Sequence, residues 1–96
     1  MIKFIWDENK NASNIKKHGV SFYEAMTVFE DEEGLLIYDD GHSEAEDRFV
    51  LIGASNLDNI IVVCHCYRDN EETIRIISAR KATKKEKKEY FERILK

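Results

Sequence analysis

Short blocks of apolar residues, each closed by a turn or capping signal, divide this chain into eight elements. Ile2-Lys3-Phe4-Ile5-Trp6 predicts a short first strand. Asp7 is a suitable N-cap for a helix running to about Lys17, and Gly19 supplies the left-handed residue that ends it. Ser21 opens a second helix, with Glu24 at capping-box spacing. Phe22, Ala25, Met26, Val28 and Phe29 give that helix an apolar face until Glu30-Asp31-Glu32-Glu33-Gly34 breaks the pattern. Strands follow at about Leu35–Asp39, Arg48–Ser55, Ile60–Tyr67 and Thr73–Ala79. The connectors Asn56-Leu57-Asp58-Asn59 and Asp69-Asn70-Glu71-Glu72 are of hairpin length, so the strands they join must be antiparallel. Thr83, with Glu86 three residues on, caps a closing helix that docks through Tyr90, Phe91, Ile94 and Leu95.

The order β-α-α-β-β-β-β-α predicts an α+β fold, a small mostly antiparallel sheet with helices packed on it. The central strands, Ile-Ile-Val-Val-Cys and Ile-Arg-Ile-Ile-Ser, lack clean alternation, which implies cover on both faces of the sheet. Three short helices are meagre cover for two faces, so a partner chain is expected. No repeat, linker or low-complexity stretch interrupts the 96 residues, which read as a single domain over residues 1–96.

Composition narrows the setting. The chain is 43% hydrophobic and has no proline, a globular rather than a disordered composition. No apolar run approaches the roughly 20 residues that span a bilayer, and no signal-peptide core opens the chain, so a cytoplasmic protein is expected. Cys64 and Cys66 stand too close along one strand to suit a disulfide, which fits a reducing compartment. Charge is segregated. Residues 80–96 carry eight Lys/Arg against three Glu; with −4 overall, +5 there leaves −9 for residues 1–79. Such a split suits a basic surface for phosphate and an acidic one for a cationic partner, although a Lys/Glu-rich helix is also an ordinary solvated face.

Several motifs together resemble the BrnT family. They are Trp6-Asp7-Glu8-Asn9-Lys10, Asn14, Lys17-His18-Gly19-Val20-Ser21-Phe22 and Glu24-Ala25. Asp40-Gly41-His42-Ser43 with Glu46-Asp47-Arg48-Phe49 and Ile52-Gly53 continues the likeness, and Arg75 through Thr83, with Glu86 and Tyr90, completes it. No single piece is diagnostic, but their order and spacing cover nearly the whole chain. The resemblance implies a type II toxin with a RelE-like fold, an endoribonuclease-like inhibitor of translation and growth. It further implies neutralisation by a ribbon-helix-helix, BrnA-like antitoxin, with operator DNA contacted only through that antitoxin.

RNA can be cut without metal when the 2′-hydroxyl attacks the adjacent phosphate, a reaction that needs a proton acceptor, charge stabilisation and a proton donor. Arginine suits the second task because its planar fork grips two phosphate oxygens. Four of the five arginines, Arg48, Arg68, Arg75 and Arg80, lie on or beside strands, though a strand arginine also often pairs with a carboxylate. Strict alternation puts Arg75 and Arg80 on opposite faces, so one of the two is expected to be structural. Arg80 is retained because it adjoins the closing helix, whose first N–H groups could meet phosphate. His42 is the candidate proton carrier; Glu46 is a candidate base or an orienting partner for Arg48, and both equally suit a plain solvated loop. The catalytic candidates are therefore His42, Glu46, Arg48, Arg75 and Arg80, with Arg68, Lys81, Lys84 and Lys85 as RNA contacts.

His18 suits the end of its helix, and His65 suits a satisfied core position. Cys64-His65-Cys66 does not make a metal site, because the imidazole and the thiols point to opposite sides of a strand. No cofactor or metal is expected, although the acidic loop Asp39–Asp47 leaves a metal-dependent nuclease as a minor alternative. A non-catalytic module that holds a DNA-binding antitoxin is the main rival reading. Net acidity counts against a protein gripping many phosphates, unless a local basic patch or a ribosome-associated substrate supplies the attraction.

Overall fold

A computed structural model describes residues 2–95. Its elements are β1 (Lys3–Ile5), α1 (Glu8–His18), α2 (Phe22–Thr27), β2 (Leu35–Tyr38), β3 (Phe49–Ala54), β4 (Ile60–Arg68), β5 (Thr73–Lys81) and α3 (Lys84–Ile94). Single 3-10 turns at Val28–Glu30 and Asp40–His42 precede and follow β2. The strands form one mixed sheet in the order β1-β5-β4-β3-β2. β1 runs parallel to β5, and the β2–β3, β3–β4 and β4–β5 pairs are antiparallel.

Local signals act largely where the sequence puts them. The Asp7 carboxylate accepts from the N–H groups of Asn9 and Lys10, and Gly19 ends α1 at φ 70°. The tight β4–β5 connection passes through Asp69, Asn70 and Glu71, all at positive φ. At α3 the capping box is complete, with Thr83 and Glu86 bonding each other's backbone N–H. At α2 it is only half made. Ser21 accepts from the Glu24 N–H, but the Glu24 carboxylate turns inward to the Ser55 hydroxyl and the Asn59 amide, where it pins the β3–β4 turn.

α1 and α2 cover one face of the sheet. There Val20, Phe22, Ala25 and Val28 pack against Leu51, Ile61, Val63, Ile74, Ile76 and Ala79. The residues of α1 that are buried are two asparagines. Asn11 accepts from the Phe22 N–H; Asn14 donates to the Val20 and Ala79 carbonyls and accepts from the Ala79 N–H. Polar bonds to backbone thus replace an apolar stripe, which is why α1 shows little hydrophobic periodicity. Stranding such buried groups costs about 1–3 kcal/mol each.

The opposite face has a smaller core of Ile52, Ile60, Val62 and Tyr90 under α3. α3 rests towards β3, and Cys64 and Ile77 stay half-buried while Ser78 is exposed. Tyr90 fastens the helix by donating to Asp31, which also accepts from the Ala54 and Glu33 N–H groups. Burial pushes the Asp31 carboxyl up, but these three bonds outweigh it and hold the group below its ordinary value.

The parity expectation for β5 fails for a physical reason. Cys64 pairs with Ser78 but His65 pairs with Ile76, so Ile77 is the extra residue of a β-bulge. Ile74 and Ile76 point into the main core before the bulge, and Ala79 does so after it. Arg75 and Arg80 therefore share the other face.

Candidate functional site

The open part of the α3 face holds a pocket at the end of β2 and across β3, β4 and β5. Asp39, His42, Arg48 and Arg80 line it, over a floor of Val50, Val62, Cys64, Ile77 and Ser78. Each side chain arrives for a local reason. Asp39 continues β2, its N–H donating to the Arg48 carbonyl, so the start of β3 is latched to the end of β2. The 3-10 turn then carries His42 back over Asp39, whose carboxylate accepts from the imidazole Nδ1 at 3.0 Å. Ser43 closes the turn by donating to the Asp39 carbonyl and accepting from the Arg48 N–H. A carboxylate can only accept, so Nδ1 carries the proton and Nε2 remains available. The His42 side chain is 71% exposed.

Arg80 reaches the pocket from β5 and forms a bidentate pair with Glu86, at 2.7 and 2.9 Å. The guanidinium bonds, first among several causes, hold the Glu86 carboxyl down to about 2 from 4.5. The same carboxylate accepts from the Thr83 N–H. At the start of α3 the cap thus engages the Glu86 N–H through Thr83, and Arg80 is tied to that cap.

The remaining candidates fall in three places. Glu46 pairs with Arg68 at 3.0 Å and not with Arg48, although it shares a second pocket with Arg48 and His42. Arg75 lies on the same face as Arg80 but farther down the sheet, Cα-paired with Cys66, and does not line the pocket. Lys81 borders a separate depression with Asn59, Lys87 and Phe91, while Lys84 and Lys85 are exposed on the first turn of α3. Asp39 went unread as the partner of His42, although the spacing Asp39-x-x-His42 would have signalled a turn contact. Ser78 and Cys64 went unread because nothing local marks a pocket floor.

His65 is fully buried among Phe29, Phe49 and Tyr67. It bonds the Val63 carbonyl through Nδ1 and the Tyr67 hydroxyl through Nε2, and burial pulls its pKa down. Burial also pushes both cysteine thiols up, so neither is primed as a nucleophile. Among the described residues, no three His, Cys, Asp or Glu side chains converge to hold a metal ion. No helix among them is long and apolar enough to cross a membrane.

Fold and site define a class, that of small α+β proteins with an arginine-bearing, half-open sheet face. Residues 6–86 match the family model described as the ribonuclease toxin, BrnT, of type II toxin-antitoxin systems. The 1.1 Å crystal structure of the Brucella abortus ribonuclease toxin BrnT aligns with a TM-score of 0.66 and 30% identity, over 88% of this chain and 100% of that one. No curated protein matches the chain. The chain belongs to the BrnT family, the ribonuclease toxins of type II toxin–antitoxin systems, and an antitoxin is its partner.

Proposed function

We propose that this toxin cuts RNA without a metal ion, with the pocket between Asp39 and Arg80 as its active site. The observation that carries the reading is that His42 and Arg48 line one pocket with Arg80, which is distant from both in sequence. The 2′-oxygen attacks phosphorus as His42 Nε2 takes its proton, with Asp39 holding Nδ1 and steadying the imidazolium that forms. Arg48 and the outward side of Arg80 take the charge that builds on the phosphate oxygens. The bond to the 5′-oxygen breaks to leave a 2′,3′-cyclic phosphate, and solvent protonates the departing oxygen.

Arg75 continues the cationic track along the same face, and Lys84 and Lys85 extend it past Glu86. Arg68 is committed to Glu46, so both act on the shape of the site rather than on the reacting atoms. Net acidity makes ribosome-associated RNA the better-suited substrate, because the particle delivers the strand and the toxin need grip only the scissile phosphate. The element order supports grouping with RelE-like toxins and a single functional domain over residues 1–96. A BrnA-like ribbon-helix-helix antitoxin, acting in the cytoplasm and carrying any contact to operator DNA, is the partner the resemblance supports.

One observation favours the non-catalytic reading: both terminal nitrogens of Arg80 are engaged by Glu86. The test is cleavage of RNA in the presence of chelator by wild type, Arg48→Ala and His42→Ala. Wild type should cut, and each variant should lose about 10²-fold or more in rate with its fold intact. Loss of wild-type activity with chelator, or undiminished cutting by both variants, overturns the proposal.

A further inference from the structure

Among the described residues, the outer side of β2 has no partner strand: β2 is the last strand of the sheet and pairs with β3 alone. Asp39 and Arg48 form a bonded pair, so by antiparallel alternation Ile37/Val50 and Leu35/Ile52 are bonded pairs as well. The N–H and C=O groups of Leu36 and Tyr38 must then point out of the sheet. Natural edges are blunted with lysine, proline, a bulge or very short length. β1, the opposite edge, has three residues and begins on Lys3. β2 reads Leu-Leu-Ile-Tyr, with Leu36, Ile37 and Tyr38 exposed by 50%, 41% and 47%.

What surrounds this edge selects its occupant. From Gly19 to Asp47 the chain holds ten Asp/Glu and no Lys or Arg. Glu32 and Glu33 are exposed just before β2, and Asp40 just after it. A second copy of this chain pairing antiparallel about a two-fold axis would set the acidic run before one β2 against the acids after the other. That is repulsive. An apolar strand with basic flanks meets the edge and its charges together.

The geometry points to β2 as the edge on which the antitoxin adds a strand, through an extended segment with Lys/Arg on either side of apolar residues. This rests on the toxin–antitoxin reading. Main-chain bonds to Leu36 and Tyr38 supply the affinity, and the acidic flanks set direction and partner choice. The strand also ends beside the chemistry, because β2 runs directly into Asp39 and His42 at the rim of the pocket. An added strand that continues past Tyr38 covers that rim, which ties binding to silencing.

The test compares the purified toxin–antitoxin complex with toxin refolded free of its antitoxin, by amide hydrogen exchange. The Leu36 and Tyr38 amides should slow by roughly tenfold or more in the complex. Leu36→Pro removes an outward N–H and spares the bonds to β3. Tyr38→Lys places a repelling charge on the same edge. Both variants should still arrest growth, yet bind antitoxin roughly tenfold more weakly or worse and escape rescue by it. Antitoxin binding at wild-type strength by both variants, or unchanged exchange of β2, overturns the proposal. So does protection of β2 in the toxin alone together with a dimer in sedimentation, which assigns the edge to a second copy. Wild type that neither arrests growth nor binds antitoxin brings down the toxin reading as well; wild type that does both, matched by the edge variants, brings down only the docking edge.

Discussion

Glu86 joins three features with one carboxylate. It caps α3, clamps Arg80 and so sets how far that arginine reaches into the pocket. Its folded-state pKa of about 2 lies below the ordinary 4.5, so the stabilisation is complete above about pH 4.5 and is lost as pH falls towards 2. Glu86→Gln should therefore cost about 1 kcal/mol at pH 7, a melting shift of about 4–8 °C, with the difference from wild type closing near pH 2. Thermal melts across that range check it. The capping role was legible in Thr83-x-x-Glu86, but the clamp on Arg80 was not, since it spans the end of a strand and the start of a helix. His42 and Arg48 were legible as chemistry-bearing residues; that Glu46 serves Arg68 instead of Arg48 depends on where β4 ends.

At the scale of elements, α3 is held to the sheet through Tyr90 and Asp31. Burial first, then its bond to Asp31, pushes the Tyr90 hydroxyl up to about 12 from 10. A raised folded-state pKa means stability that is full below pH 10 and is lost as pH climbs through 12. Tyr90→Phe should cost about 1–2 kcal/mol at pH 7, because Asp31 keeps its two backbone donors. The gap between Tyr90→Phe and wild type should close as pH climbs from 10 to 12, which thermal melts followed by circular dichroism across that range read directly. The approach is close here: a Cβ on Gly53 would come within 2.9 Å of Val28 and 3.1 Å of Asp31. The strands themselves were readable from their apolar runs and turns. The bulge at Ile77 was not, because an extra residue in one strand is defined only against its neighbour.

Across the whole molecule, charge and coverage divide the surface. Two helices seal one face of the sheet, and α3 leaves the other half open, with arginines on it and the acidic β2 edge beside it. If Arg48 and Arg80 alone grip phosphate, binding of single-stranded RNA should weaken with salt at a log–log slope of about −1.4. Participation of Lys84 and Lys85 would double that to about −2.8. A salt titration of a non-cleavable RNA on wild type beside Lys84→Ala/Lys85→Ala separates the two cases.

The sequence by itself determined the elements, their caps, the α+β class and the family, because these rest on local periodicity, turn chemistry and motif order. It also supplied the inventory of chemistry, with its few arginines and a histidine in a loop that cannot bury it. Only the tertiary structure decided which of these residues meet. Strand order sets β4 between β5 and β3, so that Arg80 reaches the pocket of His42 and Arg48, and the bulge turns Arg80 to the side of Arg75. Each is a relation between segments far apart in the chain or a break in regular alternation, and neither leaves a periodic mark in the sequence.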